Sequence, residues 1–277
     1  MSPTTLDAGN TAGTAPERRG VDAAAVGAWF VRALPAVLSH LALLALWQVA
    51  SMRLPAYILP SPMAVLETLW QPSYNWGLHI GTTSAEVFGG YVLAVAVGIA
   101  LALAFSWFRP LRNLLMPLLV TLNMIPKVAM APLFVVWLSY GIVPNMVIAF
   151  TICFFPIVLT TVRGLKEVEP DLLDLVRSLH GTRWQVFVKI QLPSALPYVF
   201  SGMKVAAILA VAGAVVGEFI GSEKGLGYLL LSVQASLDTA AMFMSLILIT
   251  LIGMALYGAV LALEAVCVVG DARAEDA

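Results

Sequence analysis

Six apolar segments, separated by short polar stretches, set the pattern of this chain. A helix needs roughly 20 apolar residues to cross the hydrocarbon core of a bilayer. The pattern therefore predicts six spans, at about residues 29–50, 80–107, 114–140, 146–162, 196–220 and 242–269. Pro35 falls in the first span, and Pro126 and Pro132 interrupt the third. We expect an all-α integral membrane protein.

The polar segments between the spans differ in character. Residues 54–76 combine prolines with tyrosine and tryptophan, which is typical of an interfacial loop, and a short helix is expected from Ser61. Residues 221–238 are predicted to form a second polar loop. The insert at residues 167–193, between the fourth and fifth spans, is polar and helix-forming. We expect it to contact something in water.

Composition and charge place the chain in a membrane and orient it. The chain is 60% hydrophobic and 11% charged, whereas soluble domains carry about 25% charged residues. Its net charge of −1 gives no basic surplus for nucleic acid. If the amino terminus is inside, the outer loops hold only Arg53 and Lys224, and the positive-inside rule places both termini and the insert in the cytoplasm. The inner cations are then Arg18, Arg19, Arg32, Arg109, Arg112, Arg163, Lys166, Arg177, Arg183, Lys189 and Arg273.

The first half of the insert is predicted to form a short amphipathic helix. Pro170 suits a first helical turn. A stripe of apolar residues follows at helical spacing, namely Leu172, Leu175, Val176 and Leu179. Gly181 then allows a sharp turn.

A second helix is expected to start at Thr182, which suits an N-cap, and to end at Leu192-Pro193. Trp184 and Phe187 lie on its apolar side. Two such helices make a knob with an apolar ridge that fits a groove on a partner.

No constellation of catalytic or metal-binding residues stands out. The chain contains no P-loop motif, no His-Glu-x-x-His, no Cys-x-x-Cys and no Gly-x-Ser-x-Gly. His40, His79 and His180 are far apart, and Cys153 and Cys267 lie in apolar segments, as expected for free thiols. We expect no catalytic residues, no metal site and no cofactor on this chain. Without a P-loop, the chain cannot hold nucleotide phosphate in the usual way.

Ionisable residues within spans are costly in hydrocarbon and are candidates for function. Lys127 follows a proline, so a broken helix beside a cation offers a site for an anionic group. The alternative is that Lys127 pairs with one of two intramembrane glutamates and only tolerates burial. Lys204 is close enough to a span end to extend to the interface. The candidate pathway residues are Asn123, Pro126, Lys127, Glu86 and Glu218.

Small residues recur four apart on two spans, at Gly90, Ala94 and Gly98 and at Gly213, Gly217 and Gly221. Such spacing lets helix backbones approach closely. We favour plain packing as its role; the alternative is that these faces slide during transport.

The insert also resembles a known pattern. Permease subunits of binding-protein-dependent ABC importers carry a loop that reads Glu-Ala-Ala, three residues, Gly, nine residues, Ile-x-Leu-Pro. Asp174-Leu175-Val176 stands at Glu-Ala-Ala and His180 stands at the Gly, with Gly181 one place later. In register at the end are Ile190, Leu192 and Pro193. The departures, including the shifted glycine, affect the geometry of the turn.

Other segments between about residues 59 and 230 resemble the nitrate/sulfonate/taurine branch of these permeases. They include Leu59-Pro60-Ser61-Pro62, Ile125-Pro126-Lys127-Val128-Ala129, Phe154-Phe155-Pro156 and Gly225-Leu226-Gly227-Tyr228-Leu229. The same segments are also similar to permeases assigned to riboflavin or thiamine-pyrimidine precursor uptake.

The resemblance implies a six-span type I ABC importer permease with a cytoplasmic coupling helix, multi-pass in a bacterial plasma (inner) membrane. Its ATPase-coupling residues would be Asp174, Leu175, Val176, Arg177, His180, Gly181, Ile190, Leu192 and Pro193. The implied partners are two ATP-binding subunits, a second permease copy forming a homodimer, a periplasmic or lipid-anchored substrate-binding protein, and membrane lipid.

We therefore expect a disordered cytoplasmic tail at residues 1–27, a permease domain at 28–270 with its coupling loop at 165–195, and a cytoplasmic tail at 271–277. The expected function is to form the pathway for a small anionic or heterocyclic solute: a sulfonate, nitrate, taurine or a vitamin precursor. The alternative is an ATP-independent secondary transporter or channel, which would leave the polar insert without a role.

Overall fold

Helices account for most of the chain in the computed structural model, which describes residues 23–168 and 170–268, and no β-strand occurs among these. The chain divides into two units, Met1–Arg53 and Leu54–Ala277, each described by itself below. The prediction of an all-α membrane protein is confirmed. The predicted tails at residues 1–27 and 271–277 lie largely outside the described residues.

The first unit contributes one described helix, α1, over Ala23–Ser51. Its segment Val37–Ser51 is apolar, and Pro35 lies inside the helix. The predicted first span, at residues 29–50, falls within α1. After the helix ends, the Arg53 N–H donates to the Ala50 carbonyl oxygen at 3.0 Å.

The second unit holds the remaining helices. In chain order they are α2 (Pro62–Glu67), α3 (Trp76–Trp107), α4 (Arg109–Asn123), α5 (Lys127–Leu138), α6 (Ile142–Gly164), α7 (Pro170–Ser178), α8 (Arg183–Val186), α9 (Leu192–Gly221), α10 (Leu226–Gln234) and α11 (Thr239–Cys267). Within the described chain, α3, α6, α9 and α11 are long and apolar enough to cross a membrane. They correspond to the second, fourth, fifth and sixth predicted spans.

The expected short helix in the first polar loop is present. Ser61 caps α2, because its Oγ accepts a hydrogen bond from the Ala64 N–H at 3.2 Å. Pro62 occupies the first helical turn, where a missing N–H costs nothing.

Close contact between α3, α6 and α9 forms the centre of the second unit, and glycines permit it. A Cβ at Gly90 on α3 would lie 2.7 Å from the Met146 carbonyl oxygen on α6. A Cβ at Gly213 on α9 would lie 2.7 Å from Ala149 Cα, also on α6. Such distances exclude any side chain, which agrees with the packing interpretation of the small residues.

Two helices, α4 and α5, stand at the predicted third span over residues 114–140, and the predicted interruption at Pro126 is confirmed. Helices α4 and α5 meet at 97°. Pro126, between them, has extended backbone geometry and no N–H to continue the helix. Pro132, by contrast, lies inside α5 without ending it. Of the two interruptions expected from the sequence, only Pro126 breaks the helix.

The prediction that residues 221–238 form a polar loop is corrected, because this segment contains helix α10. Leu226, Leu229 and Val233 are buried on its inner side. At nine residues, α10 is roughly 14 Å long and too short to cross a bilayer. Asp238 then caps α11 by accepting a hydrogen bond from the Ala241 N–H at 3.1 Å.

Candidate functional site

Helix α7 in the polar insert ends in a turn centred on His180. His180 has φ +58°, the left-handed conformation that closes many helices, and Gly181 does not share it. The Gly181 N–H donates to the Val176 carbonyl oxygen at 2.9 Å, which is the 6→1 bond of a Schellman motif. The turn therefore stands at the position of the glycine in the family pattern, although the residue there is histidine.

Gly181 is needed for a different reason. A Cβ at this position would lie 2.4 Å from Val176 Cγ1 and 3.0 Å from the Val176 carbonyl oxygen. The turn thus depends on both residues: His180 adopts the left-handed backbone conformation, and Gly181 leaves space for Val176.

Helix α8 begins with a capping box, which confirms the predicted cap at Thr182. Thr182 Oγ1 accepts from the Gln185 N–H at 3.2 Å, and the Thr182 N–H donates to Gln185 Oε1 at 2.8 Å. The reciprocal pair satisfies two N–H groups that a helix start leaves open. The sequence interpretation had noted Thr182 but not its partner Gln185.

The prediction that Leu192-Pro193 ends the second helix is wrong. Helix α8 passes through a π-helical turn, Phe187–Gln191, directly into α9, and the continuous helical segment is Arg183–Gly221. In this turn the Leu192 N–H bonds to the Phe187 carbonyl oxygen, five residues earlier. The wider turn accommodates Pro193, which has no N–H of its own. Helix α8 is therefore joined to α9 without an intervening loop.

An aromatic cluster fixes α8 to the end of α3. The ring of Trp107 on α3 lies 5.2 Å from that of Phe187 and 5.9 Å from that of Trp184. Phe187 is buried, together with Leu165 and Ala195. Trp107 was missed as a functional residue, because at the end of an apolar span it carries no signal in the sequence.

The apolar stripe of α7 is exposed in this chain. Leu175 is 56% exposed and Leu179 is 73% exposed, and Trp184 beyond the turn is 62% exposed. Exposed leucine and tryptophan side chains on an otherwise polar insert are typical of a docking surface. Asp174 and Arg177 lie on the same helix, Ile190 lies in the π-helical turn, and Leu192 and Pro193 open α9.

The bend between α4 and α5 contains three of the predicted pathway residues. Asn123 ends α4, Pro126 forms the bend and Lys127 begins α5. Lys127 Nζ donates to Asn123 Oδ1 at 2.6 Å and to the Asn123 carbonyl oxygen at 3.1 Å. The alternative pairing of Lys127 with Glu86 or Glu218 is wrong: the lysine caps the end of α4 instead.

The other two predicted pathway residues, Glu86 on α3 and Glu218 on α9, lie together in a fully buried polar cluster. Thr83 Oγ1 donates to Glu218 Oε1 at 2.5 Å. Asn145 on α6 donates through Nδ2 to Glu86 Oε1 at 2.8 Å and to Ser222 Oγ at 2.7 Å. The cluster thus links the three central helices.

The second oxygen of Glu218 is held by the start of α10. Oε2 accepts from the Gly227 N–H and, at 3.3 Å, from the Tyr228 N–H. A Cβ at Gly225, which has φ +111°, would lie 2.3 Å from the Glu218 carboxyl carbon. The glycines of the Gly225-Leu226-Gly227 segment therefore let the chain close around a carboxylate. The Leu226 N–H also donates to Thr83 Oγ1, at 2.8 Å.

Two oxygens of this cluster have no hydrogen-bond partner, Glu86 Oε2 and Asn145 Oδ1. Among the described residues, neither carboxylate forms an ion pair with a cation. Lys204 on α9 pairs with Glu264 on α11 at 3.1 Å. The structure thus brings Glu86 and Glu218 together and leaves Lys127 in a separate place.

Comparisons with known proteins agree with this architecture. The family described as binding-protein-dependent transport system inner membrane component matches residues 94–265. The formylaminopyrimidine transport permease protein ThiX of Halalkalibacterium halodurans is 32% identical over 235 residues, covering 84% of this chain and 94% of that protein. The riboflavin transport system permease protein RibX of Chloroflexus aurantiacus is 34% identical over 234 residues, covering 83% of this chain and 86% of that protein.

Among solved structures, an inward-facing form of the MetNI methionine ABC transporter matches with a TM-score of 0.52. It is 23% identical, and the match covers 66% of this chain and 94% of that one. At this identity the match supports the fold of the chain.

Proposed function

Because the chain belongs to the family of binding-protein-dependent transport system inner membrane components, the permeases of ABC importers, we propose that it is the membrane subunit of an ATP-driven importer. Two ATP-binding subunits hold the ATP and Mg²⁺ that this chain has no motif to bind. Two copies of the chain enclose the pathway, and an external binding protein delivers the solute. The protein lies in a bacterial inner membrane with both termini in the cytoplasm.

The observation that carries this proposal is the exposed apolar ridge on the insert. Leu175, Leu179 and Trp184 face outward, while the base of the same insert is fixed to α3 by Trp107 and Phe187. A ridge of this kind needs a partner, since large exposed apolar side chains are unfavourable in water. A groove on the ATP-binding subunit is the partner that the family pattern assigns to it.

The continuity of α8 with α9 supplies the mechanical link. When the ATP-binding subunits close on nucleotide, the two ridges are drawn together. Since α8 continues as helix into α9, that displacement reaches the membrane core directly. The cluster around Glu218 then carries it from α9 to α3 and α10.

We assign the substrate pathway to the bend at Asn123–Lys127. The bend breaks a helix at membrane depth and holds a cation beside freed backbone carbonyls, as in other transporters with discontinuous helices. The substrate is a small anionic or heterocyclic solute such as a sulfonate, nitrate, taurine or a vitamin precursor. The relatives named for formylaminopyrimidine and riboflavin transport support the heterocyclic part of this range.

Purification of the tagged chain from its native membranes tests the proposal. We expect a polypeptide with a P-loop motif to co-purify and the preparation to hydrolyse ATP. Leu175→Glu with Leu179→Glu should remove that polypeptide, whereas Met63→Glu, an equally exposed apolar position on α2, should retain it. Solute uptake by the chain alone in liposomes without ATP would instead support a secondary transporter or channel.

A further inference from the structure

A cavity with cationic walls lies at the end of the helix bundle where the insert is attached. It has a volume of about 190 Å³ and lies between the ends of α3, α4 and α6 and the π-helical turn Phe187–Gln191. Arg109, Arg112 and Lys166 line it, together with Ser106 and Gln191. Pockets that enclose a drug-sized molecule measure roughly 300–1,000 Å³, so this cavity suits a smaller group.

The three cations have no carboxylate partner within the described chain. Neither described ion pair involves them, since Arg163 pairs with Glu167 and Lys204 with Glu264. Three cations around one small cavity repel one another, and an anion between them relieves that repulsion. The cavity therefore favours a compact anionic group such as a phosphate.

A groove leads away from this cavity along α4. It has a volume of about 590 Å³ and shares Arg112 and Lys166 with the cavity. Its remaining walls are Asn113, Met116, Pro117, Val120 and Thr121, which follow α4 for about two turns. Cationic groups at one end and the apolar side chains of Met116, Pro117 and Val120 beyond them match the two parts of a phospholipid.

The depth of the site agrees with a lipid. The cavity lies where the apolar helices end, which is the level of lipid headgroups. Beside it, Trp107 is 46% exposed and Phe108 is 62% exposed, and aromatic residues are common at a membrane interface. Lipid headgroups lie at this level on both sides of the membrane, so the inference does not depend on the proposed function.

We propose that this cavity binds the phosphate headgroup of an anionic phospholipid, with an acyl chain lying along α4 in the groove past Met116 and Val120. Basic pockets between membrane helices bind such headgroups by charge and shape together. A lipid in this position contacts α4 on the way to the bend at Pro126. It also contacts Gln191, at the end of the π-helical turn that joins α8 to α9.

Native mass spectrometry of the purified chain, titrated with phosphatidylglycerol and with phosphatidylcholine, tests the proposal. We expect phosphatidylglycerol to be preferred by the wild type. The triple variant Arg109→Gln, Arg112→Gln, Lys166→Gln should bind it about a hundredfold more weakly, since each basic residue near an anionic lipid adds about fivefold to the affinity. Arg163→Gln removes a cation at the same end that does not line the cavity, and it should bind like the wild type.

A second variant separates a built site from general attraction. Ser106→Phe keeps every cation but fills the cavity, so it should also lose the preference for phosphatidylglycerol. Equal binding by the triple variant and Arg163→Gln would overturn the proposal. So would inorganic phosphate binding the wild type as tightly as the lipid does, because the site would then take a free oxyanion. Retained lipid with loss of a co-purified ATP-binding subunit in the triple variant would assign the cations to a protein interface instead.

Discussion

Glu86 and Glu218 are neighbours in the core, yet their carboxyl groups are held in different ways. Glu218 accepts hydrogen bonds from Thr83 Oγ1 and from the N–H groups of Gly227 and Tyr228. Glu86 accepts one, from Asn145, and its second oxygen has no donor. Both oxygens of the Glu218 carboxyl group therefore accept hydrogen bonds, whereas only one oxygen of the Glu86 carboxyl group does.

This asymmetry predicts that a change of glutamate to glutamine destabilises the protein more at position 218 than at position 86. Glu218→Gln should lower the free energy of unfolding by about 2–3 kcal/mol, because the new amide either turns its N–H groups toward the backbone donors or loses the charge that they stabilise. Glu86→Gln should lower the free energy of unfolding by about 1 kcal/mol or less, since an amide oxygen can still accept a hydrogen bond from Asn145. Denaturant titration of both variants in detergent micelles checks the order, and equal losses would contradict it.

Gly225 is expected to reject alanine. Its φ of +111° is unfavourable for any other residue, and the added Cβ would meet the Glu218 carboxyl carbon at 2.3 Å. We expect Gly225→Ala to lower the free energy of unfolding by about 3 kcal/mol or more. Gly81→Ala on α3 is the control, because nothing lies within 4 Å of its Cβ position and alanine is the better helix former. A loss from Gly81→Ala as large as that from Gly225→Ala would contradict this explanation.

The turn at His180 should be improved by the residue that the family pattern places there. His180→Gly relieves the left-handed strain of a non-glycine residue, which is about 1 kcal/mol. Hydrogen exchange at the Gly181 amide, which donates to the Val176 carbonyl oxygen, should then slow about fivefold. Gly181→Ala should accelerate exchange in this segment, because its Cβ would clash with Val176. Faster exchange in His180→Gly would show that the turn does not limit the stability of the insert.

Trp107 is predicted to hold the insert in place. Trp107→Ala removes the ring that contacts both Trp184 and Phe187. It should lower the free energy of local unfolding of α8 by about 2 kcal/mol. Removal of a fully buried tryptophan would cost more, but Trp107 is partly exposed. Hydrogen exchange over residues 183–191 measures this directly. Trp107→Phe keeps an aromatic contact and should lie between the wild type and the alanine variant. In the proposed importer, a complex that contains the Trp107→Ala variant should show less solute uptake for each ATP that its ATP-binding subunits hydrolyse.

Lys127 is predicted to be essential for uptake but not for assembly. Lys127→Ala removes the cation at the bend and should abolish uptake, while the ATP-binding subunit still co-purifies. Asn123→Ala removes only the side-chain acceptor of Lys127, and the bond to the Asn123 carbonyl oxygen remains. This variant should retain part of the uptake. Normal uptake by Lys127→Ala would exclude the lysine from the pathway.

Local chemistry along the chain was enough to predict much of this protein. Apolar segments of sufficient length located α3, α6, α9 and α11, because in hydrocarbon a helix must satisfy its own backbone hydrogen bonds. The capping residue Thr182 and the small residues Gly90 and Gly213 were identified in the same way, since each acts through its own backbone or its own size.

Contacts between distant segments were decided by the tertiary structure. Asn145 on α6 meets Glu86 on α3, 59 residues earlier, because the two helices pack together there, and no spacing rule encodes a contact between residues so far apart in sequence. The same holds for Glu218, whose partners lie 135 residues earlier, at Thr83, and nine residues later, at Gly227. Helix α10 was not predicted from the sequence, because its apolar face is only nine residues long. The sequence by itself determined which segments enter the membrane and which one faces water; the packing of α3, α6 and α9 determined which buried charges share a site, because burial forces each polar group to find its partner among its neighbours in space.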